Sequence, residues 1–306
     1  MKPLYDTVLI VGGGLIGSSL ARACQNRNIA STLVITDKEA GVRETLKTLA
    51  IADDVSETAK GVAAKADLVI LAVPPGIMKE AVLEFASLLT PGCVVTDVGS
   101  VKAKIIQDIT PLLPEGVEFI GGHPIAGTEK SGPEAGFASL FEDRWCILTP
   151  KDENALTAVK LKSMWERLGS EVAFMDAEHH DLVLATTSHL PHLIAYALVG
   201  TATDMETVTR KEVVKYSAGG FRDFTRIAAS NPIMWRDVFL GNKEAVIDVL
   251  GRYIEDLTAL KKAIRWGDGD LLLKEFTKTR DIRERIIDAG QDSAEPNFGR
   301  DIQLDD

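Results

Sequence analysis

Short, continuous hydrophobic runs alternate with amphipathic stretches along the first half of the chain. The hydrophobic runs are rich in valine and isoleucine and predict buried strands at residues 7–12, 32–37, 66–73, 93–99, 118–123, 144–150 and 171–176. The amphipathic stretches between them predict helices at residues 18–27, 79–89, 102–113 and 155–169. Strands that are apolar on both faces and separated by helices indicate a parallel sheet with helices on both sides. The predicted fold class is therefore α/β, with a doubly wound parallel sheet.

The second half has a different pattern, because only helical periodicity follows about Asp176. One helix carries an apolar seam with spacings of three and four residues, formed by Val246, Leu250, Tyr253, Leu257, Leu260 and Ile264. Such a seam packs against another helix, either within its own domain or across a subunit interface, and the spacing does not decide between the two. We therefore predict an α/β domain over residues 1–176 and an all-helical domain over residues 177–306.

Composition narrows the classes of protein that fit this pattern. The 306 residues carry a formal net charge of -11, which argues against a nucleic-acid or anionic-membrane surface, since both need a basic face. Three widely spaced cysteines form no CxxC pair, so neither a disulfide framework nor a zinc site is predicted. The N-terminal apolar run is short and glycine-rich, and no later segment approaches the ~18 continuous apolar residues of a membrane span. These features predict a soluble cytoplasmic protein.

A glycine motif follows the first predicted strand and precedes a helix. It matches GxGxxG and consists of Gly12, Gly13, Gly14, Leu15, Ile16 and Gly17. This placement is typical of a Rossmann-type dinucleotide site, where the helix N-terminus attracts the pyrophosphate. Asp37 ends the second strand, twenty residues past Gly17, where a carboxylate binds ribose hydroxyls and repels a 2′-phosphate. The predicted cofactor is NAD rather than NADP, with the neighbouring Lys38 as the one argument for NADP; a glycine-rich turn without a ligand is the alternative.

Two further strand ends lie at the edge where a parallel sheet binds ligands. Val73 and Pro74 follow the third predicted strand and either line the cofactor's ribose side or only end the strand. Ser100 follows the next strand and is a candidate ligand contact, although capping of the following helix is the commoner role of such a serine.

Five histidines are the main candidates for chemistry: His123, His179, His180, His189 and His192. The last four lie close together in sequence, as the ligands of a metal site can. Pro191 interrupts the helical spacing of the last two, and no cysteine or carboxylate set completes a metal site, so no metal is predicted. His179 and His180 are interpreted as an exposed helix entrance.

His123 lies in the segment GGHPIAGTEKSG, which folds as neither helix nor strand and follows a strand at the ligand-binding edge. A nicotinamide held by the glycine motif would point toward this edge. A histidine here accepts a proton from a substrate hydroxyl while hydride leaves the same carbon.

The segment GGFRDFTRIAASNPIMWRD, at residues 219–237, concentrates arginines and aspartates. Arginine offers a planar fork that matches a carboxylate, and Arg226 is predicted to bind one on the substrate. A lattice of ion pairs between helices is the preferred interpretation for Asp223, Arg236 and Asp237.

Together, the glycine motif, GGHPIAGTEKSG, SHLPH and the arginine segment resemble the prephenate/arogenate (cyclohexadienyl) dehydrogenase family of tyrosine biosynthesis, from about residue 7 to about residue 290. The resemblance implies NAD-dependent oxidative decarboxylation of prephenate to 4-hydroxyphenylpyruvate, of arogenate to tyrosine, or of both. It also implies a homodimer through the helical domain.

The same resemblance assigns roles to individual residues. His123 matches the catalytic histidine and Ser100 an active-site serine, while Glu129 matches a glutamate that gates the pocket. Arg226 matches the arginine that binds the substrate carboxylate, with Asp223 as its supporting partner. Three further pocket positions match Ser188, His189 and His192.

Two other functions fit part of the pattern. A β-hydroxyacid dehydrogenase joins similar domains but relies on a lysine in its helical domain. A non-catalytic NAD-binding sensor needs the glycine motif but not His123 and Arg226 together. The choice between prephenate and arogenate stays open at this stage.

Overall fold

The computed structural model describes residues 2–128, 130–209 and 219–288. Within them, eight strands form one sheet in the order β3-β2-β1-β4-β5-β6-β7-β8. The strands are β1 (Tyr5–Val11), β2 (Ala30–Thr36), β3 (Asp54–Ser56), β4 (Leu68–Leu71), β5 (Val94–Asp97), β6 (Glu118–Pro124), β7 (Trp145–Thr149) and β8 (Glu171–Phe174). All seven predicted strands are present, and the short edge strand β3 is an addition.

The helices of the first half alternate with these strands. They are α1 (Leu15–Asn26), α2 (Ala40–Leu49), α3 (Pro75–Leu83), α4 (Ala103–Ile109) and α5 (Leu156–Arg167). The second half contributes α6 (Ala177–Leu184), α7 (Leu190–Thr209), α8 (Gly219–Thr225), α9 (Pro232–Gly241), α10 (Lys243–Trp266) and α11 (Gly269–Asp288). No strand follows β8 in the described part of the chain. The predicted Rossmann-type sheet followed by a helical region is confirmed.

Alternation along β1 shows how the sheet is covered on both faces. Val8 and Ile10 belong to one buried cluster, whereas Leu9 and Val11 belong to a second. Successive side chains of a strand point to opposite faces, so each face of the sheet has its own core. Helices α1 and α5 contribute to the first core, whereas α3, α4 and α9 contribute to the second, the last through its Trp235.

Strand β6 changes partners along its length. Residues 118–120 pair in parallel with β5, whereas residues 121–124 pair antiparallel with β7. The sheet is therefore mostly parallel rather than parallel throughout, because β7 and β8 run against the other six strands. The half of β6 that carries His123 extends past the end of β5.

A π-helical turn, Ala185–His189, joins α6 to α7. Asp176 caps the start of α6 by accepting hydrogen bonds from the N–H groups of Glu178 and His179. The prediction that Pro191 interrupts the helix is wrong, since α7 continues through it. A π turn widens the helix locally, and proline is tolerated in the first turn of the α-helical segment that follows.

One continuous helical stretch, Ala177–Asp204, has the length and apolar composition of a membrane span. Core helices of soluble proteins pass the same test. Hydroxyl and imidazole side chains within it, such as those of Thr186 and His192, keep any uninterrupted apolar run short.

The chain divides into two compact units, residues 1–247 and 248–306. In the second unit, the seam predicted on α10 leaves Leu257 and Ile264 exposed, at 45% and 67% of their surface. The predicted domain boundary after Asp176 follows the last strand and stays a prediction.

Candidate active site

The glycine turn after β1 has the geometry that a bound pyrophosphate needs. Gly12 has φ of 103°, and a Cβ there would lie 2.5 Å from the Ala72 carbonyl oxygen. A Cβ on Gly17 would lie 1.9 Å from the Gly12 carbonyl oxygen, so α1 packs against the turn only with glycine there. By contrast, no protein atom lies within 4 Å of a Cβ built on Gly14, the N-cap of α1. The helix N-terminus has no side-chain cap and fits an anion.

Asp37 directly follows β2, beside this turn. Its Oδ2 accepts a hydrogen bond from the Gly13 N–H at 2.8 Å, and its Oδ1 accepts one from the Glu39 N–H at 2.9 Å. Each oxygen keeps a further lone pair, so the fixed carboxylate fits ribose hydroxyls. Lys38 forms an ion pair with Glu84.

Val73 and Pro74 lie between β4 and α3, at the same sheet edge. Pro74 is the N-cap of α3 and Pro75 occupies its first turn, a position that suits proline because the helix needs no N–H there. The two prolines thus have a structural role in starting α3, and contact of Val73 and Pro74 with a cofactor stays a prediction.

His123 is buried on the half of β6 that extends past β5, with only 7% of its surface exposed. Its Nδ1 lies 2.8 Å from Nε2 of His180, and Nδ1 of His180 lies 2.8 Å from Oδ1 of Asp181. The interpretation of His180 as part of an exposed helix entrance is wrong, because its side chain is fully buried; His179 is exposed. Sequence reasoning missed His180 and Asp181 as members of the site.

A buried ion pair lies beneath this histidine pair. Lys102 Nζ binds Asp97 Oδ2, and both side chains are fully buried. Lys102 Nζ also donates to the Gly122 carbonyl oxygen at 2.7 Å, while Asp97 Oδ1 accepts from the Gly122 N–H at 3.1 Å. The pair therefore ties the end of β5 to the residue that precedes His123.

These surroundings keep His123 neutral. Burial holds the pKa of His123 well below its usual range, and the nearby His180, Lys102 and His189 act in the same direction. A neutral imidazole has one ring nitrogen that accepts hydrogen bonds, which is the form that a general base requires.

The π turn and α7 bring the other two predicted pocket histidines near this group. His189 is buried and its Nδ1 lies 3.1 Å from Nδ2 of Asn242, which also donates to the Asp181 carbonyl oxygen at 2.7 Å. Since the amide donates to Nδ1, the hydrogen of neutral His189 is on Nε2, which is buried without a hydrogen bond of good geometry to the described residues. Asn242 is a third residue, after His180 and Asp181, that no sequence pattern indicated.

His192 is half-buried and stacks on Trp235, with ring centroids 3.6 Å apart. Its Nδ1 donates to the Ser188 carbonyl oxygen at 2.9 Å, because a carbonyl only accepts. Nε2 of neutral His192 is therefore an acceptor. Burial lowers the pKa of His192, and it lowers the pKa of His189 to about 4.

Ser100 does not cap the helix that follows it. α4 begins at Ala103, and its side-chain cap comes from a distant residue: the Asp181 carboxylate accepts from the N–H groups of Lys102 and Ala103 at 2.8 and 3.0 Å. Ser100 is half-buried instead, and its main chain lies beside the His189 ring. This position keeps it a candidate for ligand contact.

The arginine segment differs from the buried group. Asp223 on α8 is exposed, as is Arg226, which begins a 3-10 turn at Arg226–Ala229. Arg236 and Asp237 form an ion pair on α9, and the buried Asp237 lies against Gly76 at the start of α3. This ion pair lies within one helix, so the predicted lattice of ion pairs between helices stays a prediction.

Two other predictions concern Glu129 and a metal ion. Glu129, the predicted gating residue, lies outside the described residues. Within residues 2–128, 130–209 and 219–288, no group of three histidine, cysteine or acidic side chains is arranged to hold a metal ion.

Family models match both halves of the chain. The model described as prephenate dehydrogenase, nucleotide-binding domain, matches residues 20–174. The model described as prephenate dehydrogenase, dimerization domain, matches residues 176–278.

Known proteins resemble the chain over nearly its whole length. Cyclohexadienyl dehydrogenase of Zymomonas mobilis is 41% identical over 281 residues, covering 92% of this chain and 96% of that protein. Prephenate dehydrogenase of Bacillus subtilis is 34% identical over 294 residues, covering 94% and 77%. The crystal structure of prephenate dehydrogenase from A. aeolicus, in complex with hydroxyphenyl propionate and NAD+, matches with a TM-score of 0.85 at 37% identity, covering 92% and 98%. The chain therefore belongs to the prephenate dehydrogenase family of oxidoreductases.

Proposed function

We propose that this protein carries out the NAD-dependent oxidative decarboxylation of a cyclohexadienyl substrate: prephenate, arogenate or both. The observation that carries the proposal is the placement of neutral His123. It lies on β6 past the end of β5, and the glycine turn follows β1. β1 and β6 run in the same direction in this sheet, so both features belong to its carboxyl edge, where such folds bind their ligands.

Residues Gly12–Gly17 and Asp37 would hold the dinucleotide, which when bound supplies the hydride acceptor. The uncapped start of α1 would meet the pyrophosphate, and the carboxylate of Asp37 the adenosine ribose. That carboxylate would repel a 2′-phosphate, which supports NAD over NADP. The A. aeolicus relative binds NAD+.

His123 would accept the proton of the substrate's ring hydroxyl as the carbinol carbon is oxidised. The resulting ketone is conjugated to the carbon that bears the ring carboxylate, so carbon dioxide leaves and the ring becomes aromatic. Aromatisation drives this step, and the chain needs to supply only orientation. Ser100 would contact the same hydroxyl from the end of β5.

Arg226 would bind the ring carboxylate, with Asp223 supporting it. Arg226 must orient the carboxylate without stabilising it so strongly that the loss of carbon dioxide slows. His192 would offer the acceptor Nε2 to the substrate, while the buried His189 and the preceding Ser188 would form part of the pocket wall. Glu129 would gate the pocket.

The assembly and location belong to the same proposal. The dimerization-domain match and the exposed Leu257 and Ile264 on α10 support a homodimer through the helical domain. A biosynthetic dehydrogenase with a net charge of -11 and free cysteines at Cys24, Cys93 and Cys146 fits the cytoplasm. The match across both domains argues against a β-hydroxyacid dehydrogenase and against a non-catalytic NAD-binding sensor.

The decisive experiment supplies NAD with prephenate or arogenate and follows NADH and carbon dioxide. We expect both products in equal amounts, and the ratio of kcat/KM values identifies the preferred substrate. His123→Asn should lower kcat by ~10²–10⁴-fold, the usual contribution of a general base, while the Kd for NAD stays nearly unchanged. Near-normal kcat in that variant would refute the role of His123, and no turnover of either substrate by the parent protein would refute the function.

A further inference from the structure

We propose that His180 and Asp181 are positioning residues that fix His123 in its Nδ1–H tautomer and balance the charge that the histidine pair gains during turnover. The inference rests on the proposed function, because it concerns the proton that His123 accepts. It deepens that function by assigning roles to two buried residues of α6, neither of which needs to touch the substrate.

With a neutral His180, the chain of hydrogen bonds has only one direction. The Asp181 carboxylate accepts, so the hydrogen of neutral His180 must be on Nδ1, which lies 2.8 Å from Oδ1. Nε2 of His180 is then an acceptor, and the Nδ1 that faces it at 2.8 Å must be the donor nitrogen of His123. His123 Nε2 is consequently left with a lone pair. The Asp181 carboxylate thus determines, through His180, that Nε2 is the ring nitrogen of His123 that acts as the base.

Asp181 is itself held in place by three donors. The N–H groups of Lys102 and Ala103 at the start of α4 bind its two carboxylate oxygens. The amide of Asn242 binds its carbonyl oxygen. The carboxylate therefore cannot turn away from His180 without breaking the two hydrogen bonds from the start of α4, and Asn242 fixes the main chain that carries it.

His180 and Asp181 also compensate the positive charge that His123 gains when it accepts the proton. Proton transfer breaks the O–H bond of the substrate and forms an N–H bond at Nε2 of His123, which becomes a cation in a buried site that already contains the Lys102 ammonium. The Nδ1 proton of His123 can move to Nε2 of His180, so that the positive charge is shared along the hydrogen bond. His180 is within 2.8 Å of the Asp181 carboxylate, which provides the compensating negative charge. A carboxylate behind a catalytic histidine has this double role of orientation and charge balance in hydrolase triads.

The sequence offers a matched control for His180. Its neighbour His179 is on the same helix, but its side chain is exposed. Comparison of His180→Phe with His179→Phe separates the loss of the buried hydrogen bonds from the general effect of the substitution on α6. We expect His180→Phe to lower kcat by ~10²-fold or more, with KM and the Kd for NAD within about threefold of the parent values. His179→Phe should leave all three unchanged.

A second variant tests the tautomer itself. His180→Gln restores an amide oxygen that can accept the His123 Nδ1–H but does not titrate, so its kcat should exceed that of His180→Phe by about tenfold, within the range for a hydrogen bond to a charged group. Equal kcat values in these two variants, or a kcat for His180→Phe within about threefold of the control, would overturn the inference.

The direct measurement is independent of activity. Nitrogen-15 NMR of the parent protein labelled at its five histidines reports which ring nitrogen of each carries the hydrogen, and His123→Asn assigns the His123 signals. We expect Nδ1–H for His123, and an Nε2–H form in His180→Phe. An Nε2–H tautomer of His123 in the parent protein would overturn the inference whatever the activities of the His180 variants. Because this readout needs no substrate, it is distinguishable from a failure of the proposed reaction.

Discussion

The histidine cluster and the arginine segment are assigned to the same reaction but lie in opposite surroundings. The histidine cluster, defined as Asp97, Lys102, His123, His180 and Asp181, is buried, and each member hydrogen-bonds at least one other member or the strand beside it. The arginine segment, residues 219–237, exposes Arg226 and Asp223. Burial of a charge is costly unless it is paired, so the cluster must be complete before any ligand binds. An exposed arginine carries less of this cost, because solvent screens its charge.

This contrast predicts that the two regions fail in different ways. Changes in the cluster should reduce stability or turnover, whereas changes in the arginine segment should reduce substrate affinity in a fully folded protein. Matched pairs of variants test this division.

Lys102→Met should have the largest effect on stability. It leaves the Asp97 carboxylate buried without its partner, and breaking a buried pair from one side costs ~3–5 kcal/mol. Lys104→Met is the matched control, since Lys104 forms only a half-exposed pair with Asp108 and should cost less than ~1 kcal/mol. Urea unfolding of both variants measures the difference. A cost below ~1 kcal/mol for Lys102→Met would show that the histidine cluster need not be complete before a ligand binds.

Arg226→Ala should act on the substrate and not on the fold. Loss of a charge-assisted interaction worth ~1.5–3 kcal/mol predicts a KM increase of roughly 10–100-fold. The free energy of unfolding should change by less than ~0.5 kcal/mol, as is usual for exposed positions. Arg252→Ala, at an exposed position of α10, should leave KM unchanged. Steady-state kinetics with both variants decide the matter, and an unchanged KM for Arg226→Ala would remove its assigned role.

Acidification should destabilise the folded protein through its buried histidines. The pKa of His189 falls from 6.5 to about 4 on folding, mainly through burial. Between these values the unfolded chain binds a proton that the folded chain does not, so stability falls as the pH drops below about 6.5. At about pH 5, this effect of His189 lowers the free energy of unfolding by about 2 kcal/mol.

His189→Asn isolates this contribution. The difference in unfolding free energy between about pH 7 and about pH 5 should shrink by about 2 kcal/mol relative to the parent protein. His179→Gln, at an exposed position, should leave the difference as it is. Urea titrations at the two pH values supply the measurement, and an unaltered pH dependence in His189→Asn would contradict the proposed cause.

The same contrast explains how much of the fold was predictable. β1, β2, β4 and β5 are apolar on both faces, and such runs are a strong signal for central strands. β3, Asp54–Ser56, has only three residues and one buried side chain, so the pattern contains little trace of it. The antiparallel direction of β7 was missed because hydrophobicity along a strand does not indicate which way it runs.

The site was predictable where one residue has one role. The glycine spacing located the cofactor turn, and the irregular segment around His123 located the candidate base. The burial of His180 was not predictable from its place at the start of a helix: α6 does begin at Ala177, yet one side of its first turn already faces the interior. The cap of α4 was missed because its carboxylate, from Asp181, lies 79 residues away in sequence from Lys102. Contacts of that kind depend on the assembled fold and leave no local pattern.

The π-helical turn at Ala185–His189 sets the rotational phase of the pocket. From His180 to His189 an uninterrupted α-helix would make about two and a half rotations and point the two side chains in opposite directions. A π turn uses more residues for each rotation, so the helix after it lags behind the helix before it. His189 thereby reaches Asn242, whose amide also binds the carbonyl of Asp181. Conversion of this turn to a regular α pitch, with no residue removed, would carry His189 and His192 out of phase with His180, although all three histidines would still be present.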